Sequence, residues 1–237
     1  MLVVYDWNWN NCEVAVVIEI RKRKEPRNLV EYRQLPDASY ENMDSHLKAD
    51  ILESLMREQG HLCAYCMRRI PEKRKLPEGI SGATIEHWFP RNPDSGEDHG
   101  QGLDYRNMLA VCSGNRGCGD KRNLTCDAKR GNKVLAVNPC KAETLSSITY
   151  TSDGRIKSED ILIDEDLNER LNLNSKAVSL PENRKQVLNT LIMDIKKNHP
   201  TGDIKQYCRR KLEQIRGMDE YKIPFVGILI WWLEKHS

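Results

Sequence analysis

Five cysteines constrain this chain more than any other feature. Cys63 and Cys66 form a C-x-x-C pair, and Cys112, Cys118 and Cys126 follow. Two thiolates on one tight turn fill half of a tetrahedron, so the pair calls for two more ligands from a distant second turn. Cys112 with Cys126 is the favoured completion, because Cys126 opens "CDAKRGN", where turn-forming residues follow a cysteine as in a knuckle that starts a helix. Cys118 is the runner-up for the fourth place. Four thiolates from two knuckles make a closed structural zinc site. Disulfides are the competing use of eight cysteines, but no basic segment precedes "VAVVIEI" and no small-residue cleavage site follows it, so a reducing cytoplasm is expected. Cys12, Cys140 and Cys208 lie outside any motif and read as small buried hydrophobes.

The rest of the composition describes a charged chain with room for a core of its own: 237 residues, 30% of them charged, with a net charge of +2. Basic residues gather at 21–27, 68–75 and 120–133. Two of these runs flank cysteine motifs, which favours a phosphate-facing surface around one site. The longest apolar run, "IPFVGILIWWL" at 223–233, falls short of the roughly 18 residues that a membrane span requires. It reads as a buried terminal helix, and no membrane partner is expected.

Three stretches follow from these patterns: 1–60 with N-terminal strands and a helix, 61–137 as the cysteine-bearing module, and 138–237 as a hairpin and helices. Alternation at Tyr5, Trp7 and Trp9, then an apolar run from Val14 to Ile20, suggests two strands turning at Asn10-Asn11. Residues 44–59 read as a helix with Ser45 as its cap, a face of Leu47, Ile51, Leu52, Leu55 and Met56, and Gly60 as its stop. "ITYTSDGRIKS" reads as a hairpin turning at Asp153-Gly154. A Ser179 to Glu182 capping box opens a helix with Val187, Leu188, Leu191, Ile192 and Ile195 on one face. Further helices are expected over 203–216, ending at Gly217, and from about Pro224.

Between the two cysteine knuckles stand "TIEHWFP", "LDYRNMLAVC" and "TCDAKRGN". An acid-histidine pair after C-x-x-C, an asparagine five residues before the next cysteine, and a final C-D-x-x-R-G-N together resemble the HNH endonuclease motif. A wider likeness, over about residues 19–235, runs through "EPRNLVEYR", "CSGNRGCGDKRNLTCDAKRGN", "VNPC", "ITYTSDGRI", "LNLNSKAVSLPENRKQVL" and "PFVGILIWWLEK". These segments resemble the PtuB family, the HNH subunits of the Septu anti-phage systems that also occur beside some retrons.

The resemblance implies an α+β fold: a small zinc-stapled ββα-metal module embedded in a mainly helical chain. It implies hydrolysis of nucleic-acid phosphodiester bonds, with DNA first and tRNA or other RNA also open. His87 would be the base that takes a proton from water, a task suited to a group titrating near neutral pH. Glu86 and Asp127 would supply hard oxygen ligands for Mg²⁺ or Mn²⁺. Asn107 would brace the loop, and Arg91, Lys129, Arg130 and Asn132 would meet phosphates. The implied partner is an ATPase subunit of the PtuA type, similar to ABC and SMC ATPases, with a retron reverse transcriptase and its non-coding RNA and DNA in some systems. The chain itself has no P-loop motif. The alternative is a zinc-stapled module that binds nucleic acid or protein without cutting, which has no need of Glu86, His87, Asn107 and Asp127 together. His61 reads as a structural neighbour of Cys63, His99 as solvent-exposed, and Trp88 and Phe89 as core.

Overall fold

The computed structural model describes residues 18–71, 82–96, 100–198 and 203–237. The expected N-terminal hairpin, Cys12 and His99 lie outside the described residues, and the end of that apolar run, 18–20, carries no strand. The fold is mixed α+β: mostly helical, with two small antiparallel hairpins and a buried four-cysteine cluster.

A short helix α1 (Arg27–Tyr32) leads to α2 (Ser45–Glu58). Asp44, not Ser45, caps α2: its carboxylate accepts from His46 N at 2.7 Å and Leu47 N at 3.0 Å. An ionised acceptor at a positive helix end is the stronger choice of the two neighbours. Leu47, Ile51 and Leu55 are buried as their spacing dictates. At the end of α2 the amide of Gln59 bonds to Leu62 O and to both Ala110 N and Ala110 O, at 2.7–2.8 Å. That side chain therefore satisfies the outer edge of the module's hairpin as a third strand would.

The module is built on β1 (Ala83–His87) and β2 (Met108–Cys112), antiparallel, with Ala83 opposite Cys112 and His87 opposite Met108. Helix α3 (Cys126–Arg130) follows β2 after a loop. A short helix α4 (Ala142–Leu145) then leads into a second hairpin, β3 (Ile148–Tyr150) with β4 (Ile156–Ser158). Gly154 turns this hairpin at φ +89°, and a side chain there would collide with Pro181 O at 2.0 Å, so only glycine fits. Helix α5 (Ile161–Glu165) runs on into a π-helical turn over Asp166–Arg170. Here fully buried Asp166 accepts from Ala136 N and Val137 N at 2.6 and 2.9 Å and from Arg170 at 2.5 Å.

Three helices complete the chain: α6 (Leu180–Asn198), α7 (Ile204–Arg216) and α8 (Val226–Lys235). The apolar face expected of α6 packs inward through Leu188, Leu191 and Ile195. The expected capping box does not form. Ser179 sits at φ +52°, away from the extended backbone that lets a cap hydroxyl reach N3. Cys208 of α7 is fully buried, as read. One core cluster joins α1, α2, the module, the second hairpin and the N-terminal half of α6; a second joins α6, α7 and α8 to Leu62 beside the first knuckle. No helix among the described residues is long and apolar enough to cross a membrane.

Candidate metal centre and the acid-histidine face

The four sulfurs of Cys63, Cys66, Cys112 and Cys126 lie within 4.8 Å of one another, all on buried residues. A tetrahedron with metal–sulfur bonds of about 2.3 Å has edges of about 3.8 Å. The separations Cys66–Cys112 and Cys112–Cys126 are 3.8 Å, and Cys63–Cys126 is 3.9 Å. The donor set and its size fit a structural zinc ion.

Backbone geometry sets these sulfurs. The first knuckle turns through Met67 at φ +57°, with Met67 N donating to Cys63 O at 3.0 Å and Cys63 N to Arg68 O at 2.9 Å. Ala64 N donates to Ala110 O at 3.1 Å and ties the knuckle to β2. Cys112 ends β2, and Cys126 begins α3 at φ +54° with its N–H held by Leu171 O at 2.9 Å. Cys118 stays outside the cluster. It sits half-buried in a 3₁₀ turn, with its thiol on Asp120 O at 3.1 Å.

Charge is shared unevenly among the thiols. Hydrogen bonding with Cys126, Cys63 and Cys66 holds Cys112 far below the ordinary thiol range. Burial drives Cys63 well above it, and hydrogen bonding with Cys112, Cys63 and Cys66 does the same to Cys126. Zinc requires thiolates, so loading the site releases protons and weakens in acid.

At the other end of the same hairpin stands the acid-histidine pair. His87 and Glu86 are both buried, at 6% and 8% exposure. His87 Nε2 is 3.0 Å from Gly102 O. A carbonyl only accepts, so Nε2 carries the ring proton and Nδ1 is left with its lone pair. Burial lowers the His87 pKa from its ordinary 6.5, with the bond to Gly102 opposing and Arg130 assisting. The ring is therefore neutral at pH 7. Tyr40, from the segment before α2, meets it edge to face with centroids 4.6 Å apart.

Asn107 holds the turn after β1. Its amide brackets Phe89, donating to Phe89 O at 2.9 Å and accepting from Phe89 N at 2.7 Å, while its own carbonyl receives Trp88 N at 2.8 Å. Trp88 packs against the core and donates from its indole to Val137 O at 2.7 Å.

Arg130 departs from expectation. Read as a phosphate contact, it is instead 1% exposed. Its guanidinium donates to Glu86, to Tyr65 Oη at 3.1 Å, to His87 O at 3.0 Å, to Trp88 O at 2.7 Å and to Lys133 O at 2.7 Å. An arginine at the last position of a one-and-a-half-turn helix points back across the hairpin, and a buried guanidinium is tolerable only when such a set of acceptors meets it. Lys22 turns inward too, onto Glu58 at 3.0 Å and Met108 O at 2.9 Å, so the basic runs are only partly a solvated face. Of the other expected phosphate contacts, Arg91 and Lys129 are half-buried and Asn132 is exposed.

Glu86 and Asp127 come together as a carboxylate pair. Burial above all, and Asp127 beside it, push the Glu86 pKa up to about 8 against the pull of Arg130 and Tyr65. Asp127, in the first turn of α3, is paired with Arg116. Tyr65, Tyr40 and Gly102 were not singled out in the sequence. Tyr65 stands inside the C-A-Y-C knuckle itself, and the other two reach His87 only through long-range contacts.

Neither a scan against protein-family models nor a search of curated proteins finds a match for this chain.

Proposed function

We propose that this chain is a metal-dependent nuclease of the HNH type, with the four-cysteine zinc site as its staple and His87 as its base. The observation that carries the reading is the placing of His87: neutral, with Nε2 fixed on Gly102 O and Nδ1 free to accept a proton from water. Asn107 fixes the loop that follows, and Asp127 of α3 lies near enough to act on the ring electrostatically.

Glu86 and Asp127 are the residues that would hold a catalytic Mg²⁺ or Mn²⁺. The fit rests on two adjacent carboxylates, Glu86 raised first by burial and further by Asp127 beside it, a crowding of oxygen ligands that a divalent cation would relieve. Such an ion, when bound, supplies positive charge for the phosphate and the leaving oxygen. Arg130 orients Glu86 and, through the carbonyls of His87 and Trp88, fixes the backbone that carries the base. Lys129 and Asn132 stand where the α3 side meets solvent and fit phosphate oxygens.

By resemblance, the substrate is DNA before RNA, and the chain acts as the toxic effector of an anti-phage complex with a PtuA-like ATPase. Ile161 and Leu162, adjacent on α5 and 83% and 59% exposed, are apolar side chains that such a partner would cover.

The test is a gel assay on plasmid DNA and total tRNA with Mg²⁺ or Mn²⁺, with the chain alone and with the ATPase. Cleavage is expected, and His87→Ala should lower it by about 10²–10⁴-fold while the chain stays folded and keeps its zinc. Cleavage that survives in His87→Ala removes the assigned base; a chain that binds nucleic acid but never cuts is the non-catalytic zinc module.

A further inference from the structure

Three groups from outside the two strands converge beside His87. The Tyr40 ring, which touches the imidazole, carries the Arg91 guanidinium at 4.3 Å and the Lys48 ammonium at 4.9 Å from its centroid. Lys48 comes from α2 and Arg91 from the turn after β1. The stem of Arg91 also packs on Gly102, with its Cδ 3.6 Å from where a Cβ would stand, and Gly102 is the residue that holds His87 Nε2.

Folding alone gives little reason to gather these charges. A partly exposed cation over a ring contributes about 0.5–1 kcal/mol, and two like charges on one ring repel. Among the described residues Lys48 has no carboxylate partner. The acid paired with Arg91 is Glu41, itself 65% exposed, and a rim pair of this kind contributes about 0–1 kcal/mol. Both cations are thus available to an incoming anion, at a place whose near wall is the histidine.

We propose that Tyr40, Lys48 and Arg91 form a clamp for the phosphate backbone of a nucleic-acid strand, seating it against His87. The clamp rests on the nuclease reading of His87 and extends it. It extends substrate binding from the cysteine module, which supplies Arg91, to α2 and the segment before it, and makes Tyr40 a positioning residue shared by the base and the cations. A polymer is the fitting ligand because the two cations arrive from separate elements on one ring, so that a backbone passing between them meets both while its scissile phosphate faces His87. Glu41, an exposed rim partner, yields Arg91 on binding, since a backbone phosphate takes the guanidinium bidentately and releases condensed counterions as it does so.

Fluorescence anisotropy of the full chain with a labelled random-sequence DNA duplex, its single strand and total tRNA, in Mg²⁺-free buffer over a salt series, tests the clamp. Lys48→Met and Arg91→Met should each reduce the slope of log K against log salt by about 0.9 on duplex, or about 0.7 on single strands. Lys48→Arg should restore it, and Lys205→Met on α7 should leave it unchanged; melting and zinc content confirm folding. Unchanged slopes in both Met variants, with His87-dependent cleavage intact, would overturn the clamp and leave the nuclease reading standing. Absence of both binding and cleavage would overturn both.

Discussion

The β1–β2–α3 unit carries one site at each end, and the two are built on opposite principles. At the Ala83–Cys112 end, soft sulfur ligands are sealed inside and placed by backbone turns; at the His87–Met108 end, about 13 Å away by strand rise, oxygen and nitrogen groups are placed by a guanidinium and an amide. Consecutive residues serve the two ends: Cys126 completes the sulfur cluster and Asp127 faces Glu86. A short helix thereby couples the sulfur cluster to the polar end, so that an ion held by the four cysteines would set the position of the acid without touching it.

Breaking the sulfur end has the largest expected effect. Cys126→Ser, or zinc chelation, should abolish the cooperative melt of the module, whereas Cys118→Ser should keep both zinc and melting temperature; loss of zinc in Cys118→Ser would refute the assigned set. Next comes the guanidinium at the polar end. Arg130→Met leaves Glu86, Tyr65 and the carbonyls of His87, Trp88 and Lys133 without their buried donor and should cost about 3–5 kcal/mol in urea unfolding. A surface arginine would cost no more than about 0.5 kcal/mol, and that result would return Arg130 to the phosphate-facing set.

The two ends should also answer pH with opposite signs. Zinc binding strengthens as pH rises, because thiols ionise. Glu86 works the other way: its folded-state pKa of about 8 stands above the ordinary 4.5, so between those values the folded chain holds a proton the unfolded chain has lost. In zinc-saturated, Mg²⁺-free buffer, stability should therefore fall as pH rises across that window, and Glu86→Gln should flatten the slope. A wild-type slope equal to that of Glu86→Gln would remove the argument. The smallest effect is at His87, whose NMR titration midpoint should lie below 6.5; a midpoint above it would mean that burial does not dominate the ring.

The sulfur end was legible in the sequence because its ligands sit in local knuckles whose turn residues betray them, and "CDAKRGN" distinguished Cys126 from Cys118. The helices α2, α6, α7 and α8 and the second hairpin were legible from periodicity and from Asp153-Gly154. The fate of Arg130 was not. Charge patterning marks a residue as basic, but whether it turns out or in depends on acceptors 42–65 positions away. Tyr40 was missed for the same reason, since the pattern around it gives no sign of a histidine 47 positions on. The caps failed more narrowly. Asp44 and Ser45 are adjacent capable caps and the carboxylate won; Ser179 has the right type in the wrong backbone conformation.

The insertion between Cys112 and Cys126 leaves and re-enters the module at a single point. Gly114 O receives Thr125 N at 3.0 Å, and a Cβ on Gly114 would stand 2.3 Å from Thr125 O, so the neck is closed to any other residue. At the tip, a Cβ on Gly117 would meet nothing within 4 Å. A neck that fixes its own ends makes the tip a socket: a peptide tag or reporter grafted at Gly117 would ride outside the fold and leave the four clustered cysteines unmoved, at the cost of a longer loop and of the neighbouring Arg116–Asp127 pair.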